Sequence, residues 1–508
     1  MPQYSVEERV VWENALIREV LGYIQKMSRI VAPTQTVYIA VDGVAPMAKI
    51  KQQRARRFKS AVGAAEEAKV RAEAAGRPYD PADQQNRWDT NAITPGTEFM
   101  RRLTAALREF KVTGVPKTVV SPADEAGEGE QKIMDWLRSQ PFSGAEAVTD
   151  VAVYGLDADL IVLSMMEHGR SGRHVDLFRE ETEFNGAVKS DALGDEQFLY
   201  LNTAYLAKVL WETWSPKSVS LKDFLNDFVG VMNLLGNDFV PHGMSLKIHD
   251  EGIETVLEIL RGMVAKGRLV NGDMGMYNAF VLAQLLAELG KLEDRAIVKG
   301  IRRKLDSRVG GSAGGSKDAE ARALAALNDK PVEWAAEKVL AEQKWPEGAE
   351  KPRWELRRDW KAAYAKHALW DAEPRSVIKA YCQALTWTLR YYQGRPVDMT
   401  WYYPWPLPPL FSDVAATILL NPALMDPAAL SARPFQLKPV EQLAMVLPTT
   451  SFQLLPAEYR RLPTKYPHAW PTSWSSFSLG RRFLWECEPL IPLIQPVQIR
   501  TWIEECLD

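Results

Sequence analysis

Short β-branched runs alternating with segments of helical periodicity most restrict what this chain can fold into. TVYIAVDG (36–43) is apolar, β-branched and closed by Asp-Gly, which reads as a buried strand followed by a turn. TVVSP (118–122) reads as a second strand, and TDVAVYGLDADLIVLSMM (149–166) as a third with a polar break at its end. Between them, apolar residues return at helical spacing from Val6 to Ile30. A polar, Ala-rich stretch from about Ala48 to Ala75 is also helical, TPGTEFMRRLTAALREF opens at Thr94 and Pro95 like a capped helix, and QKIMDWLRSQ (131–140) is a further helix. This alternation predicts an α/β fold with a mostly parallel central sheet flanked by helices. From Leu221 to Leu292 the pattern is mainly helical. VGGSAGGSKD (309–318) has linker composition, and beyond Lys330 the chain is rich in Trp, Tyr and Pro. The expected organisation is a sheet-bearing domain over 1–305, a linker or loop over 306–330, and a largely helical, Trp/Pro-rich domain over 331–508.

Composition excludes several classes. With 62 basic and 65 acidic side chains the chain carries −3, which argues against wholesale coating of nucleic acid but leaves room for a local patch. Cys382, Cys487 and Cys506 are too few and scattered for a disulfide framework or a CxxC metal site, so they are expected to be buried thiols in a reducing compartment. No charge-free apolar stretch is long enough to span a membrane. The acidic, amphipathic N-terminus is unlike a targeting peptide, so the cytoplasm is the expected location and the nucleus the alternative.

Four segments carry carboxylates where a buried strand is expected to end: Asp42 in VYIAVDG, Glu128 and Glu130 in GEGE, Asp157 and Asp159 in YGLDAD, and Asp238 in LLGNDF. In open α/β sheets ligand sites lie beyond the carboxyl ends of the strands. Alternate spacing aims Glu128 with Glu130, and Asp157 with Asp159, the same way if the backbone is extended. Six converging carboxylates repel unless divalent cations compensate them, and hard oxygen donors suit Mg²⁺ or Mn²⁺. Two such ions would stabilise both the attacking and leaving oxygens of a phosphodiester displacement. Taken singly, each acid also reads as a turn residue or helix cap.

KIKQQRARRFK (49–59) holds six basic residues and no acid. On a helix, Lys49, Gln53, Arg56 and Arg57 share one face, a suitable phosphate receptor; a solvated helix face or localisation-type cluster is the other reading. The six histidines show no ligand spacing, and His242 after GNDF reads as structural or as a support behind the acids.

VDGVAPMAKIKQQRARRF, NAITPGTEFM, GEGEQKIM, YGLDADLIVL and LLGNDFVPH, followed by TWYYPW, KPVEQLAMVLP and LLPAEYRRL, resemble in order the motifs of the XRN-type 5′→3′ exoribonucleases. The resemblance runs over nearly the whole chain and both core regions of that family. It implies a nuclease sheet domain similar to PIN and flap-nuclease folds, and Mg²⁺-dependent, processive hydrolysis of single-stranded RNA bearing a 5′ monophosphate, with two ions. By resemblance, Asp42, Glu128, Glu130, Asp157, Asp159 and Asp238 match metal-site positions, and Lys49, Gln53, Arg56 and Arg57 the 5′-phosphate pocket. Trp401 keeps its place in the WYYP segment, where it stacks a base or packs between domains.

Family members also carry an upstream strand of the LDMNG type with one more metal-site Asp, which this sequence lacks. That departure implies a second polypeptide supplying the strand, a truncated product or lost catalysis. The competing reading is a catalytically impaired, XRN-like RNA-binding or structural subunit of a ribonucleoprotein or viral assembly. A flap-type DNA nuclease is a third.

Overall fold

In a computed structural model, residues 6–80, 88–155, 157–182, 188–190, 196–306, 323–324, 337–348, 352–481 and 486–507 are described. Helix α1 (Val6–Val31) precedes strand β1 (Thr36–Ala40), and the basic run forms α2 (Met47–Ala74). Then come α3 (Glu98–Glu109), β2 (Lys117–Ser121), α4 (Gly129–Ser139), β3 (Asp150–Tyr154), α5 (Asp159–Ser171), β4 (His174–Glu180) and β5 (Phe198–Asn202). The α/β alternation is therefore present, but not as one sheet. β1 pairs with β2 in parallel; β3 pairs with β4 in parallel, and β4 with β5 antiparallel. Among the described residues these are separate two- and three-stranded sheets, with β1 and β3 each paired on one side only.

Two local expectations are corrected. DLIVLSMM continues no strand: after Tyr154 the chain turns into α5, which buries Leu160, Leu163, Ser164, Met165 and Glu167 at helical spacing. An eight-residue apolar run does not reveal its period until its partners are known. The helix expected at Thr94–Pro95 starts at Glu98, because the Thr97 side chain accepts from the Met100 N–H and acts as the cap.

Helices α6 (Thr203–Trp214), α7 (Leu221–Met232), α8 (Gly252–Met263) and α9 (Ala279–Asp306) follow, then α10 (Trp360–Leu369), α11 (Pro374–Tyr392), α12 (Phe411–Leu420), α13 (Pro439–Val446) and α14 (Pro496–Leu507). The later region is largely helical, as expected. One continuous core takes Leu163 and Val175 from the sheet region together with Leu285, Trp387 and Ile418, so position 305 does not divide the packing. The linker expected over 306–330 lies outside the described residues except at 306, 323 and 324. Cys382, Cys487 and Cys506 are buried and in no disulfide. Among the described residues no helix is long and apolar enough to cross a membrane.

Helix α2 joins the two regions. The Arg54 guanidinium is buried and donates to the carbonyls of Met445, Ala469 and Pro492, all from the later region. Burying a cation is costly unless every donor is used, and burial alone lowers this side chain to about 9. The Ala45 N–H donates to Gln442 Oε1 at 2.7 Å, tying the loop after β1 to α13.

Candidate active site

The six acids approach one another by different routes from those expected. Asp42 stands two residues beyond β1, and its Oδ1 accepts from the Gly129 N–H at 2.6 Å, so it caps α4 from another loop. Gly43 makes this possible: a Cβ there would lie 1.7 Å from the Glu125 carbonyl oxygen. Glu128 is the N-cap residue of α4 yet makes no capping bond; its carboxylate turns instead to Lys49 and Tyr391. Glu130 lies in the first turn of α4, and Asp159 is the first residue of α5, so neither acid pair sits on extended backbone. The pairs converge because they occupy helix N-termini just beyond parallel strands, where the peptide dipoles favour negative charge. Asp238 follows no strand. It comes after α7 and a short 3₁₀ turn (Asn233–Leu235), in a loop that Gly236 permits with φ +88 and a backbone pressed against His242.

Lys49 joins two of these acids. Its ammonium lies 2.7 Å from Glu128 Oε2 and 2.6 Å from Asp238 Oδ2, and Gln52 Nε2 donates to Asp238 Oδ1 at 3.4 Å. Burial alone would lower Lys49, but the two carboxylates outweigh it and hold the ammonium well above its ordinary value. Burial raises the Glu128 carboxyl against the pull of Lys49. Burial also raises Glu130, and the charges of Glu128 and Asp159 add to it, pushing its carboxyl up to about 9. Asp159 rises for the same reason, burial first, with Asp157 and Asp238 adding charge against the pull of the Tyr392 hydroxyl. The Lys49 ammonium therefore acts on four of the six carboxyls, Glu128 and Asp238 directly and Glu130 and Asp159 through its charge.

The basic face divides. Lys49, assigned by resemblance to the phosphate pocket, is engaged by the acids. Arg56 is exposed. Gln53 is buried with an unpartnered Oε1; one turn on, Arg57 donates to Asn91 Oδ1 at 2.6 Å and keeps a buried, unpartnered Nε. Burial, with Arg56 adding to it, lowers Arg57 to about 10. Asn91 opens the NAITPG motif and itself donates to Ser451 Oγ at 3.0 Å. His242 faces Arg481 rather than the acids, and burial lowers it to about 3, so it is neutral and structural.

Two tyrosines were not legible in the sequence. Tyr391 and Tyr392 end α11, far along the chain from the acids, and donate to Glu128 Oε1 at 2.8 Å and to Asp159 Oδ2 at 3.0 Å. Their only trace is a Tyr-Tyr pair at a helix end, which core packing explains equally well. Trp401 stacks on Trp387 with ring centroids 5.6 Å apart, and Trp387 stacks on Tyr391 at 4.8 Å. Trp401 thus supports the tyrosine that holds Glu128 while remaining half-exposed. Removing a group that orients a metal-site ligand typically costs roughly 10–100-fold in activity or metal affinity. If the site hydrolyses RNA with Mg²⁺ as the resemblance implies, Tyr391→Phe should reduce that hydrolysis within this range with an unchanged circular dichroism spectrum; full activity at limiting Mg²⁺ would remove Tyr391 from the site.

The model described as the XRN 5′-3′ exonuclease N-terminus matches residues 2–181, and that of the Xrn1 helical domain matches residues 354–504. The chain belongs to the XRN family. Five of the six acids fall in the first match, and Tyr391, Tyr392 and Trp401 in the second, so the contacts above join the two parts of the XRN fold. Among curated XRN relatives, 5′-3′ exoribonuclease 2 of Gallus gallus is 26% identical over 97% of this chain and 62% of the relative. 5′-3′ exoribonuclease 1 of Homo sapiens is 28% identical over 97% of this chain and 31% of the relative. 5′-3′ exoribonuclease 2 of Saccharomyces cerevisiae is 33% identical over 55% of this chain and 31% of the relative. The chain spans less than two thirds of the length of each of these relatives.

Proposed function

We propose that this XRN chain is a 5′→3′ exoribonuclease that shortens RNA with a 5′ monophosphate one nucleotide at a time, processively, using Mg²⁺ or Mn²⁺. The clustering of Glu128, Glu130, Asp159 and Asp238 about Lys49, with Asp42 beside Glu128 and Asp157 beside Asp159, next to the buried Gln53–Arg57 turn, carries this reading. The donors fit such ions: all are oxygens, and burial together with the charge of the neighbouring acids pushes the Glu130 carboxyl up to about 9. Among the described residues no three candidate ligands already stand in cation-holding arrangement, so the side chains would reorganise around Lys49 to receive the ions. Asp42, Glu128, Glu130, Asp157, Asp159 and Asp238 would hold them. When bound, two divalent ions supply an activated water and charge stabilisation at the scissile phosphate.

The chain's own groups supply the rest. Tyr391 and Tyr392 fix the orientation of Glu128 and Asp159, while Lys49 holds positive charge where the scissile phosphate would lie. Gln53 and Arg57 lie one and two turns further along α2, about 6 and 12 Å by helical rise, which is the scale of one nucleotide. Arg57 would receive the terminal phosphate with its buried Nε–H, which lacks a partner now, and Gln53 would donate from its side-chain amide N–H. The half-exposed part of Trp401 would support a base. The test is degradation of 5′-monophosphate and 5′-hydroxyl RNA by the purified chain with Mg²⁺. Arg57→Ala should raise KM about tenfold or more for the monophosphate substrate and leave 5′-hydroxyl RNA little changed, as expected for a lost charge-assisted bond. Equal weakening of both would end the pocket assignment, and RNA binding without degradation by the parent would favour the non-catalytic subunit.

A further inference from the structure

Tyr392 also lines a cavity of about 350 Å³ whose lining does not include Asp159 and that the site above does not use. Its walls come from α4, α5, α7, the loop at 272–273 and the end of α11. Its charge is unbalanced. Four cations, Arg138, Arg170, Lys222 and Arg395, line it against two carboxylates, Glu167 and Asp273. Glu167 is buried and shared between Arg170 and Arg173, Arg138 pairs with Asp135 and Lys222 with Asp273, so Arg395 is the lining cation left with no carboxylate partner among the described residues.

Arg395 spends its guanidinium on neutral acceptors only: Gln393 Oε1 at 2.9 Å and the carbonyls of Gly272 and Asp273 at 2.9 and 2.6 Å. Beside it, Arg390 reaches only the carbonyls of Met274 and Pro396 and keeps a buried Nε with no partner. Two adjacent guanidiniums bonded to carbonyls alone favour an arriving anion. Met166, Leu225 and the Tyr392 ring add apolar lining. The volume is at the small end of ligand pockets, and a lining that combines cations with apolar surface suits a phosphate joined to a flat ring.

We infer that this cavity binds a nucleoside 5′-monophosphate, with the phosphate toward Arg395, Lys222 and Arg170 and the base against Tyr392. Placed one tyrosine away from Asp159, it would take up the nucleotide that hydrolysis releases. The identity of that ligand rests on the nuclease reading, whereas the anion site stands without it.

The experiment is calorimetric titration of AMP into the full chain in the presence of EDTA, without RNA, with RNA degradation measured separately. Lys222 is half-exposed and pairs only with the exposed Asp273, so Lys222→Glu reverses charge at the cavity mouth without touching the core. Lys222→Glu and Arg395→Gln should each weaken AMP binding at least tenfold, Arg57→Ala should leave that binding in place, and inorganic phosphate should bind more weakly than AMP. AMP binding that survives Lys222→Glu, or that disappears with Arg57→Ala, overturns the inference. Phosphate binding as tightly as AMP overturns the nucleotide assignment. A chain that degrades no RNA yet loses AMP with Lys222→Glu keeps the cavity and refutes the nuclease.

Discussion

Asp159→Asn is expected to cut nucleotide release from 5′-monophosphate RNA by more than about a hundredfold while the thermal melt stays near that of the parent. Loss of a group that merely orients a ligand costs roughly 10–100-fold, and a direct ligand should exceed that. The substitution is nearly isosteric and keeps an oxygen that accepts from Tyr392, so packing between α5 and α11 persists. It also removes like charge from beside Glu130, which favours rather than harms the metal-free fold. Discontinuous nuclease assays at saturating Mg²⁺ read the effect. Turnover within threefold of the parent would take Asp159 out of the site.

Lys49→Met should have the largest effect on stability, and only when divalent cations are absent. Glu128 is almost fully buried and Asp238 is one-third exposed, and Lys49 is their shared ion-pair partner. Breaking a buried ion pair from one side costs about 3–5 kcal/mol, and the partial exposure of Asp238 places this one toward the lower end. Urea titrations in EDTA should therefore show a loss of about 3 kcal/mol. Added Mg²⁺ should restore more stability to the variant than it adds to the parent, because the ions then provide the charge that the lysine supplied. Equal urea midpoints for variant and parent in EDTA would show that Lys49 is not the counter-charge of this cluster.

Much of the site was readable because its chemistry is local. Asp-Gly after TVYIAV, two carboxylates in GEGE and two in GLDAD announce themselves within a few residues, and the 3.6-residue period of α2 places Lys49, Gln53 and Arg57 on one face. What such patterns do not carry is the identity of a partner distant in sequence. Lys49 finds Glu128 and Asp238 only because α4 and the loop after α7 are brought to the same end of α2. Tyr391 and Tyr392 are invisible for the same reason, since nothing in RYYQG distinguishes a packed tyrosine from one whose hydroxyl ends on a clustered carboxylate. The sheet was legible in its strands but not in its pairing. Apolar period identifies β1, β2 and β3, whereas the separation of β1–β2 from β3–β4–β5 depends on tertiary placement. DLIVLSMM fails differently: its burial on α5 comes from neighbours, not from any alternation of its own.

The most direct test of the central claim is anomalous diffraction from crystals of this chain soaked in Mn²⁺. Two manganese peaks among Asp42, Glu128, Glu130, Asp157, Asp159 and Asp238, with the Lys49 ammonium moved off Glu128, are the predicted result. Crystals that bind no manganese there, with Lys49 still bridging Glu128 and Asp238, would contradict it.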